Sequence, residues 1–286
     1  MLTTIQSAGQ IFRLSMQNKI YDSGVLLIGG QYILTAAHLF IDNPRISDIM
    51  ISNAVGQRVA YVTQLFIHPN WRNDPSSYNN DLALIKLDRV LEGGYDIYRG
   101  NAEIGQVFTR IGYSGTQLVE GKNTYDAYSD IINSLYVSNV SPKTQLLYDY
   151  DDGTAQHDAL GVLFGINQLG VGAQESLSQK GLSGAPTFIN NQIAGIGSYI
   201  FRANVSDTNS IVDSSVGEMG SDMRVSVQAD WIDYVTHGNA LYTLPTTQAE
   251  VMTRVPEPNY GRVVNYFLAA FSEPLKGDIS GIVNSI

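Results

Sequence analysis

Residues 180–187 read KGLSGAPT, a short run that places one serine in a very small frame. Gly181 and Gly184 can adopt backbone angles that are forbidden to other residues, and Pro186 fixes its own φ. The run therefore predicts a tight, unusual turn that presents Ser183. Such turns also occur in ordinary loops, so the octapeptide alone leaves both a nucleophilic serine and a purely structural turn open.

The composition describes a globular, strand-rich chain. Its 286 residues suit one large domain or two ordinary ones, and 44% hydrophobic residues with 27 glycines and 17 tyrosines favour strands over disorder. A net charge of -10 argues against nucleic acid or an anionic membrane as partner. The absence of cysteine excludes disulfides, thiolate metal sites and cysteine nucleophiles. We expect no cofactor and no metal ligand set.

Neither end of the sequence predicts a membrane or export segment. The first residues lack a basic stretch followed by an apolar core, so we expect no signal peptide. The longest purely apolar run near the end, residues 267–271, is too short to cross a bilayer. We expect a soluble chain without a membrane span, and this reasoning leaves its compartment and oligomeric state open.

Short apolar or alternating runs bounded by Gly, Asn, Asp and Ser predict an all-β sandwich or barrel. The predicted strands lie within residues 10–16, 23–38, 58–68, 81–87, 106–112, 131–140, 159–167, 185–200 and 222–229. One helix is predicted in residues 228–238, where apolar residues share a face and a glycine follows. Residues 239–286 resemble an appended tail with a helix around 260–271.

The sequence offers one candidate base and one candidate acid for Ser183. His38 directly follows an apolar strand and a turn of small residues, in ILTAAHLF. Asp81 immediately precedes an apolar run, in YNNDLALIKL, where a buried carboxylate needs a hydrogen-bonding partner such as histidine. Taken singly, each is explained as well by a core histidine or a turn aspartate.

Together these segments resemble the active-site segments of the trypsin/chymotrypsin-like serine proteases. The similar stretches are TAAH, HPNW followed by NNDLALIKL, and GLSGAP, in the order His38, Asp81, Ser183. IGYSG, IAGIGSY and MRVSVQADWIDYV resemble further strands and the C-terminal helix of the family, so the resemblance covers roughly residues 9–238. It implies two six-stranded antiparallel Greek-key β-barrels with a C-terminal helix and an extra C-terminal tail. The implied domains are 1–104, which holds His38 and Asp81, 105–238, which holds Ser183, and a tail of unknown role, 239–286.

The resemblance implies a serine endopeptidase that acts on protein or peptide substrates. A serine hydroxyl is a poor nucleophile at neutral pH, so Ser183 needs His38 as base, and Asp81 fixes the histidine tautomer. The backbone N–H groups of Gly181 and Ser183 are expected to form the oxyanion hole. The family resemblance also favours a secreted protein.

Departures from the family pattern keep alternatives open. Leu182 occupies the place of an aspartate that usually receives a newly cleaved N-terminal amine, and only 37 residues precede His38. The disulfide beside the histidine is also missing, with Ser23 and Leu39 in the matching places. We expect either a protease that needs no N-terminal processing or a catalytically silent, peptide-binding module. A structural or adhesion role of the tail is a third possibility.

The resemblance also implies a specificity pocket. Leu177 stands where trypsin-like members carry an acid, and Ile200 stands where a glycine usually opens the pocket, so we expect a preference for small aliphatic residues. In the competing interpretation, Asp222 reaches the pocket and attracts basic side chains. The complete set of predicted substrate-binding residues is Leu177, Ser178, Lys180, Ser198, Tyr199, Ile200, Gly220 and Asp222.

The remaining polar motifs are expected to have no catalytic role. His157 and His237 are predicted to be exposed, and His68 is assigned to a turn after a strand. The acidic run DYDDG at residues 149–153 has the oxygen ligands that calcium prefers but no glutamate at loop spacing, so a solvated loop is favoured. Residues 115–153 as a whole are expected to form a surface insertion.

Overall fold

The structure, a computed structural model, describes residues 10–16, 19–136, 138–237 and 284–285. Antiparallel pairing joins the strands of this part of the chain into two sheets. The first sheet contains β1 Ile11–Met16, β2 Lys19–Leu26, β3 Tyr32–Thr35, β4 Ile49–Ser52, β5 Arg58–Ala60, β6 Val62–Ile67 and β7 Ala83–Leu87. The second contains β8 Val107–Ser114, β9 Gln117–Thr124, β10 Ala127–Tyr128, β11 Gln145–Asp149, β12 Pro186–Ile189, β13 Gln192–Arg202, β14 Glu218–Arg224 and β15 Asn284–Ser285.

The first sheet closes into a barrel because one stretch of chain supplies both of its ends. Its strand order is β5-β4-β1-β2-β3-β7-β6, in which β5 pairs with β4 and β6 pairs with β7. Only Tyr61 separates β5 from β6. Counted as one interrupted strand, residues 58–67 make the barrel six-stranded.

The second sheet closes in the same way. Its order is β10-β11-β14-β13-β12-β8-β9, and only Tyr125 and Asp126 separate β9 from β10. The expected pair of six-stranded barrels is thus confirmed. The expectation that residues 115–153 form a surface insertion is wrong, because they supply β9, β10 and β11, and two of their aromatic rings, Tyr125 and Tyr148, are fully buried.

Two other sequence-based expectations fail locally. Residues 131–140 and 159–167 were predicted as strands, but the first contains most of a 3₁₀ helix, Ser129–Ser134, and the second forms α1, Ala159–Phe164. The side chain of Asp158 accepts a hydrogen bond from the Gly161 amide at the start of α1, and Gly165 ends the helix with a φ of 72°. These two caps outweigh the apolar run, which by itself does not distinguish a short helix from a strand.

Apolar side chains fill the first barrel and also join the two barrels. Leu14, Leu26, Ile33, Ile51 and Ile85 are buried inside the first barrel. Between the barrels, the rings of Tyr95 and Phe188 lie 4.6 Å apart between centroids. Helix α2, Ala229–His237, adds Trp231 and Ile232 to the same cluster, as the predicted helix at residues 228–238 requires. This apolar cluster is continuous between the two barrels, so close packing holds side chains of both barrels in fixed positions.

The strands of the first sheet come from residues 11–87, and those of the second come largely from residues 107–224. The domain boundary predicted between residues 104 and 105 stays a prediction. Most of the tail, including the helix predicted around residues 260–271, lies outside the described residues. The backbone of Asn284–Ser285 pairs with β13 at Tyr199 and Ile200. No described helix is both long and apolar enough to span a membrane.

Candidate active site

His38 lies at the junction of the two barrels, just after β3. The one-turn 3₁₀ helix Ala37–Phe40 carries it, and Phe40 packs into the first barrel and anchors this turn. Ala36 and Ala37 are fully buried, because small side chains let the turn lie close to its surroundings. His38 as a whole residue is 7% exposed. The local sequence therefore presents a nearly buried histidine on a rigid element.

Asp81 precedes β7 and follows a strained stretch. Tyr78 and Asn80 have φ values of 45° and 60°, a region that costs energy for residues other than glycine. Asp81 is completely buried, and its carboxylate accepts three hydrogen bonds. The donors are the His38 amide and Nδ1, both at 2.7 Å, and Ser198 Oγ at 2.5 Å. Burial of this carboxylate is tolerable because these donors replace water.

Ser183 completes the arrangement from the second barrel. Its Oγ lies 2.8 Å from His38 Nε2. Because Asp81 accepts the Nδ1 proton, Nε2 keeps its lone pair and accepts from the serine hydroxyl. Ser183, His38 and Asp81 thus form one continuous chain of hydrogen bonds, and the three residues that the sequence singled out lie together.

Gly184 allows the serine turn to approach the first barrel. A Cβ atom on Gly184, whose φ is 73°, would lie 2.1 Å from Thr35 Oγ1 and 2.3 Å from the Ser23 carbonyl oxygen. The Ser23 amide donates to the Ser183 carbonyl at 2.8 Å. The glycine predicted to permit a tight turn therefore also permits this close contact.

Ser23 replaces part of the missing disulfide with hydrogen bonds. Its Oγ accepts from the Tyr113 amide at 2.7 Å, and its carbonyl accepts from Thr35 Oγ1 at 2.8 Å. Tyr113 belongs to the second barrel, so Ser23 connects both barrels beside the serine turn. A small buried hydroxyl in an apolar strand is the only sequence signal of this role.

The predicted substrate-binding residues lie in the second barrel, mostly as buried residues. Leu177 and Ile200 belong to one buried cluster, and Ser178 is completely buried, whereas Lys180 is exposed. Ser198 lies on β13 as expected, but its contact with Asp81 was not predicted. Tyr199 stacks on Tyr78 at 5.1 Å, and the Tyr78 ring stands edge-on to His38 at 6.4 Å.

Tyr148 is a neighbour of the predicted pocket that the sequence did not reveal. It pairs with Gly220 across β11 and β14, and a Cβ atom on residue 220 would lie 2.4 Å from its ring. Its hydroxyl accepts a hydrogen bond from Arg110 at 2.7 Å. Because Tyr148 and Gly220 lie 72 positions apart, no local pattern could have shown that they meet.

The structure corrects the competing interpretation of Asp222. Its carboxylate is completely buried and accepts hydrogen bonds from Arg110 Nη2 at 2.8 and 2.9 Å and from the Tyr125 hydroxyl at 2.7 Å. The charge is therefore neutralised within the second barrel. Asp222 is not available to attract a basic substrate side chain.

The other polar motifs divide into exposed and buried groups. His237 is exposed, as expected, and His157 is partly exposed and lies 2.6 Å from Asp152. His68 is buried against Trp231, with ring centroids 4.8 Å apart, and burial lowers its pKa to about 4. The solvated-loop interpretation of residues 149–153 is wrong for Asp149 and Asp151, which are 1% and 5% exposed, because the end of β11 turns them inward.

Comparisons with known proteins agree with this geometry. The family model described as Trypsin matches residues 4–232. A solved structure of mouse neuropsin, a serine protease expressed in the limbic system of the brain, superposes with a TM-score of 0.59 at 15% identity. The match covers 81% of this chain and 96% of neuropsin. A search of curated protein sequences finds no significant match. The family model spans most of the chain, including both barrels and all three hydrogen-bonded residues, and the chain therefore belongs to the trypsin family of serine proteases.

Proposed function

We propose that this protein is an endopeptidase that hydrolyses peptide bonds through an acyl-enzyme on Ser183. The observation that carries the proposal is the unbroken hydrogen-bond chain from Ser183 Oγ through His38 to Asp81, at 2.8 and 2.7 Å. Catalytic groups need this reach to exchange a proton.

In the proposed reaction, Ser183 Oγ attacks the substrate carbonyl carbon while its proton passes to His38 Nε2. The resulting imidazolium is stabilised by Asp81 and returns the proton to the leaving amine when the C–N bond breaks. A water molecule then attacks the acyl ester, gives its proton to His38, and releases Ser183 when the proton returns to Oγ. Each step conserves the proton that the triad carries.

The turn before Ser183 supports an oxyanion hole. The Leu182 amide donates to the Gln179 carbonyl at 2.9 Å, and Gly181 at the third turn position has a φ of 93°. This is the type II pattern, whose central peptide is flipped relative to a type I turn and therefore turns the Gly181 N–H to the opposite side. Within the described ranges, neither the Gly181 nor the Ser183 N–H donates to another group of the chain. Both donors are thus free for the charge that develops on the substrate oxygen.

Burial of Leu182 supports activity without N-terminal processing. Leu182 is 4% exposed. A Cβ atom on Gly112 would lie 2.9 Å from Leu182 Cδ2 and 2.7 Å from Ala185 Cβ, so Gly112 leaves the room that Leu182 fills. Apolar burial of this kind stabilises the turn by about 2 kcal/mol. In our proposal it replaces the ion pair that a newly formed N-terminal amine makes elsewhere in the family.

The substrate is proposed to be an extended peptide with a small aliphatic residue before the cleaved bond. The antiparallel pairing of Asn284–Ser285 with Tyr199 and Ile200 supports the first part, because an extended segment of the chain pairs with this edge of β13. The buried cluster that contains Leu177, Tyr148 and Ile200 supports the second part, since the Tyr148 ring fills the space beside Gly220 and Ile200 pairs with Gly220 across the strands. An extra methylene in such a slot costs about 1–3 kcal/mol, so we expect preference rather than strict exclusion.

Labelling with a fluorophosphonate, read by intact mass, tests the proposal. The untrimmed chain should take up one label, Ser183→Ala should take up none, and Ser129→Ala should label like the wild type. Ser129 is the matched control because its buried hydroxyl bonds to Ser221, away from the triad. A folded chain that never labels would contradict the proposal and favour the silent peptide-binding module. Labelling that appears only after cleavage near the N-terminus would contradict the absence of processing.

A further inference from the structure

Five acidic residues gather in the second barrel, outside the proposed catalytic site. This acidic cluster consists of Asp126, Asp149, Asp151, Asp158 and Glu175. All except Asp126 are at least nine-tenths buried, and both Asp126 carboxylate oxygens are themselves inaccessible to water. None of the five forms an ion pair with a described Arg, Lys or His residue. Burying so much negative charge without a cation is costly.

Helix α1 positions two of these carboxylates. The Leu160 amide donates to Asp149 Oδ2 at 2.8 Å, and the Gly161 amide donates to Asp158 Oδ1 at 2.5 Å. The second oxygen of each group, Asp149 Oδ1 and Asp158 Oδ2, is buried and has no hydrogen-bond partner among the described residues. Each carboxylate is therefore held in place by one oxygen and leaves the other available.

Asp151 is the most unusual member of the acidic cluster. The residue is 5% exposed, and neither of its carboxylate oxygens meets a hydrogen-bond donor within the described ranges. Its backbone is held firmly, because the Asp151 amide donates to Glu175 Oε1 at 3.1 Å and Glu175 Oε2 also accepts from the Val171 amide. A polar side chain that is fixed, buried and unsatisfied implies a partner that the chain itself does not supply.

The spacing of the carboxylates fits one hard cation. One ligand oxygen from each of Asp149, Asp151 and Asp158 can be chosen so that all lie within 4.8 Å of one another. Calcium binds carboxylate oxygens at about 2.3–2.6 Å, so two ligands of one ion lie no more than about 5 Å apart. Calcium also tolerates irregular geometry, whereas magnesium requires a nearly ideal octahedron at shorter distances.

We propose that Asp149, Asp151 and Asp158 form a calcium-binding site that fastens the segment after β11 to the second barrel. Glu175 positions Asp151, and Asp126 adds negative charge beside the site.

The site is connected to the region of the proposed nucleophile. Asn123 Nδ2 donates to the Asp149 carbonyl at 2.5 Å and to the Ser176 carbonyl at 3.2 Å. Residue 176 directly precedes Leu177, so both ends of the segment 150–176 are held by one side chain. Calcium is expected to stabilise this segment and, through it, the approach to the turn 180–184.

Calcium binding to the 286-residue chain tests the proposal directly. Titration calorimetry and thermal unfolding are measured on chelator-treated protein in the Ser183→Ala background, so that self-cleavage cannot imitate unfolding. We expect one calcium ion per chain and a rise of the unfolding midpoint by about 5–10 °C at about 100 times the dissociation constant. Asp151→Asn and Asp158→Asn should each weaken binding at least tenfold and remove most of the rise. Asp152→Asn is the matched control, since that carboxylate is the exposed partner of His157.

The outcomes separate clearly. If the chelator-treated protein is folded and binds no calcium up to about 1 mM, the range of weak calcium modules, the proposal is wrong. It is equally wrong if Asp151→Asn binds as tightly as Asp152→Asn, or if magnesium binds more tightly than calcium. Without calcium, the Asp151→Asn protein should unfold at a higher temperature than the unsubstituted chain, because the substitution removes repulsion between Asp151 and the other acids of the cluster. This measurement tests the proposal even if the substitution abolishes calcium binding.

Discussion

Asp81 and Asp222 are both completely buried aspartates, one at the edge of the first barrel and one inside the second, but their partners differ. Asp81 accepts from His38 and Ser198, neither of which carries a fixed positive charge. Asp222 accepts from the guanidinium of Arg110 and from Tyr125. The charge of Asp222 is therefore permanently neutralised, whereas that of Asp81 remains available to stabilise a cation that forms on His38.

The difference shows that burial alone does not identify a catalytic carboxylate. A buried aspartate that is paired with a permanent cation contributes to structure, and removal of either partner leaves the other as an unpaired buried charge. A buried aspartate with only neutral donors and a histidine is suited to a charge that appears during the reaction. Substitutions at the two sites should therefore affect different quantities.

Asp81→Asn should have the largest effect, and the effect should be on activity. The amide cannot hold His38 in the required tautomer, and in triads of this kind the substitution costs about 10⁴ in kcat, which is about 5 kcal/mol. Steady-state hydrolysis of a peptide ester measures this, with urea unfolding as the control for stability. Near-normal kcat in a folded Asp81→Asn protein would remove the distinction between the two aspartates.

Arg110→Met should have the next largest effect, on stability. It leaves the Asp222 carboxylate buried without its cation, which costs about 3–5 kcal/mol in the free energy of unfolding. Urea unfolding measures the loss, and the double substitution Arg110→Met with Asp222→Leu should recover much of it. At a temperature where both proteins are folded, kcat should change little. A stability within about 1 kcal/mol of the wild type would show that the ion pair is not structural.

His68 extends the comparison to a buried base, whose contribution to the free energy of unfolding depends on pH. Its pKa is lowered by burial from 6.5 to about 4, so the unfolded chain binds more protons than the folded chain between these values. Stability is therefore complete above pH 6.5 and is lost as the pH falls towards 4, by about 3 kcal/mol at most. His68→Gln should flatten this part of the stability profile, measured by urea unfolding at each pH, whereas His237→Gln should not. Equal slopes in both variants would exclude His68 as the cause.

Ser198→Ala should have the smallest effect, and the effect should be on kcat. It tests how much one hydrogen-bond donor to Asp81 contributes. It removes the hydrogen bond from Ser198 Oγ to Asp81 while His38 keeps its contacts. A net hydrogen bond to a charged group is worth about 1.5–3 kcal/mol, and part of it is regained by rearrangement, so we expect kcat to fall about tenfold. Ser129→Ala serves as control, and an unchanged kcat in Ser198→Ala would limit Ser198 to substrate binding.

The predictability of the fold and the candidate site depends on how local each signal is. The barrels, the helix at residues 228–238 and the triad residues were predictable because short motifs carry them. Residues 115–153 do not read as strands because β9 to β11 lack a regular alternation of apolar and polar residues. The apolar run of α1 reads as a strand, because the helix depends on caps at Asp158 and Gly165 that an apolar pattern does not show. The competing assignment of Asp222 to the specificity pocket was wrong, since the surroundings of Asp222 depend on Arg110, 112 positions away.

By itself, the sequence determined the strand-rich class, the turn around Ser183 and the order of histidine, aspartate and serine, because these depend on local backbone preferences and on residue type. Only the tertiary structure decided which buried acids are satisfied. Asp81 meets Ser198, Asp222 meets Arg110, and Asp151 meets no donor among the described residues, although nothing in their immediate neighbours distinguishes them. The physical reason is that the energy of a buried charge depends on the groups within a few ångströms of it, and in a β-barrel those groups come from strands far apart in the chain.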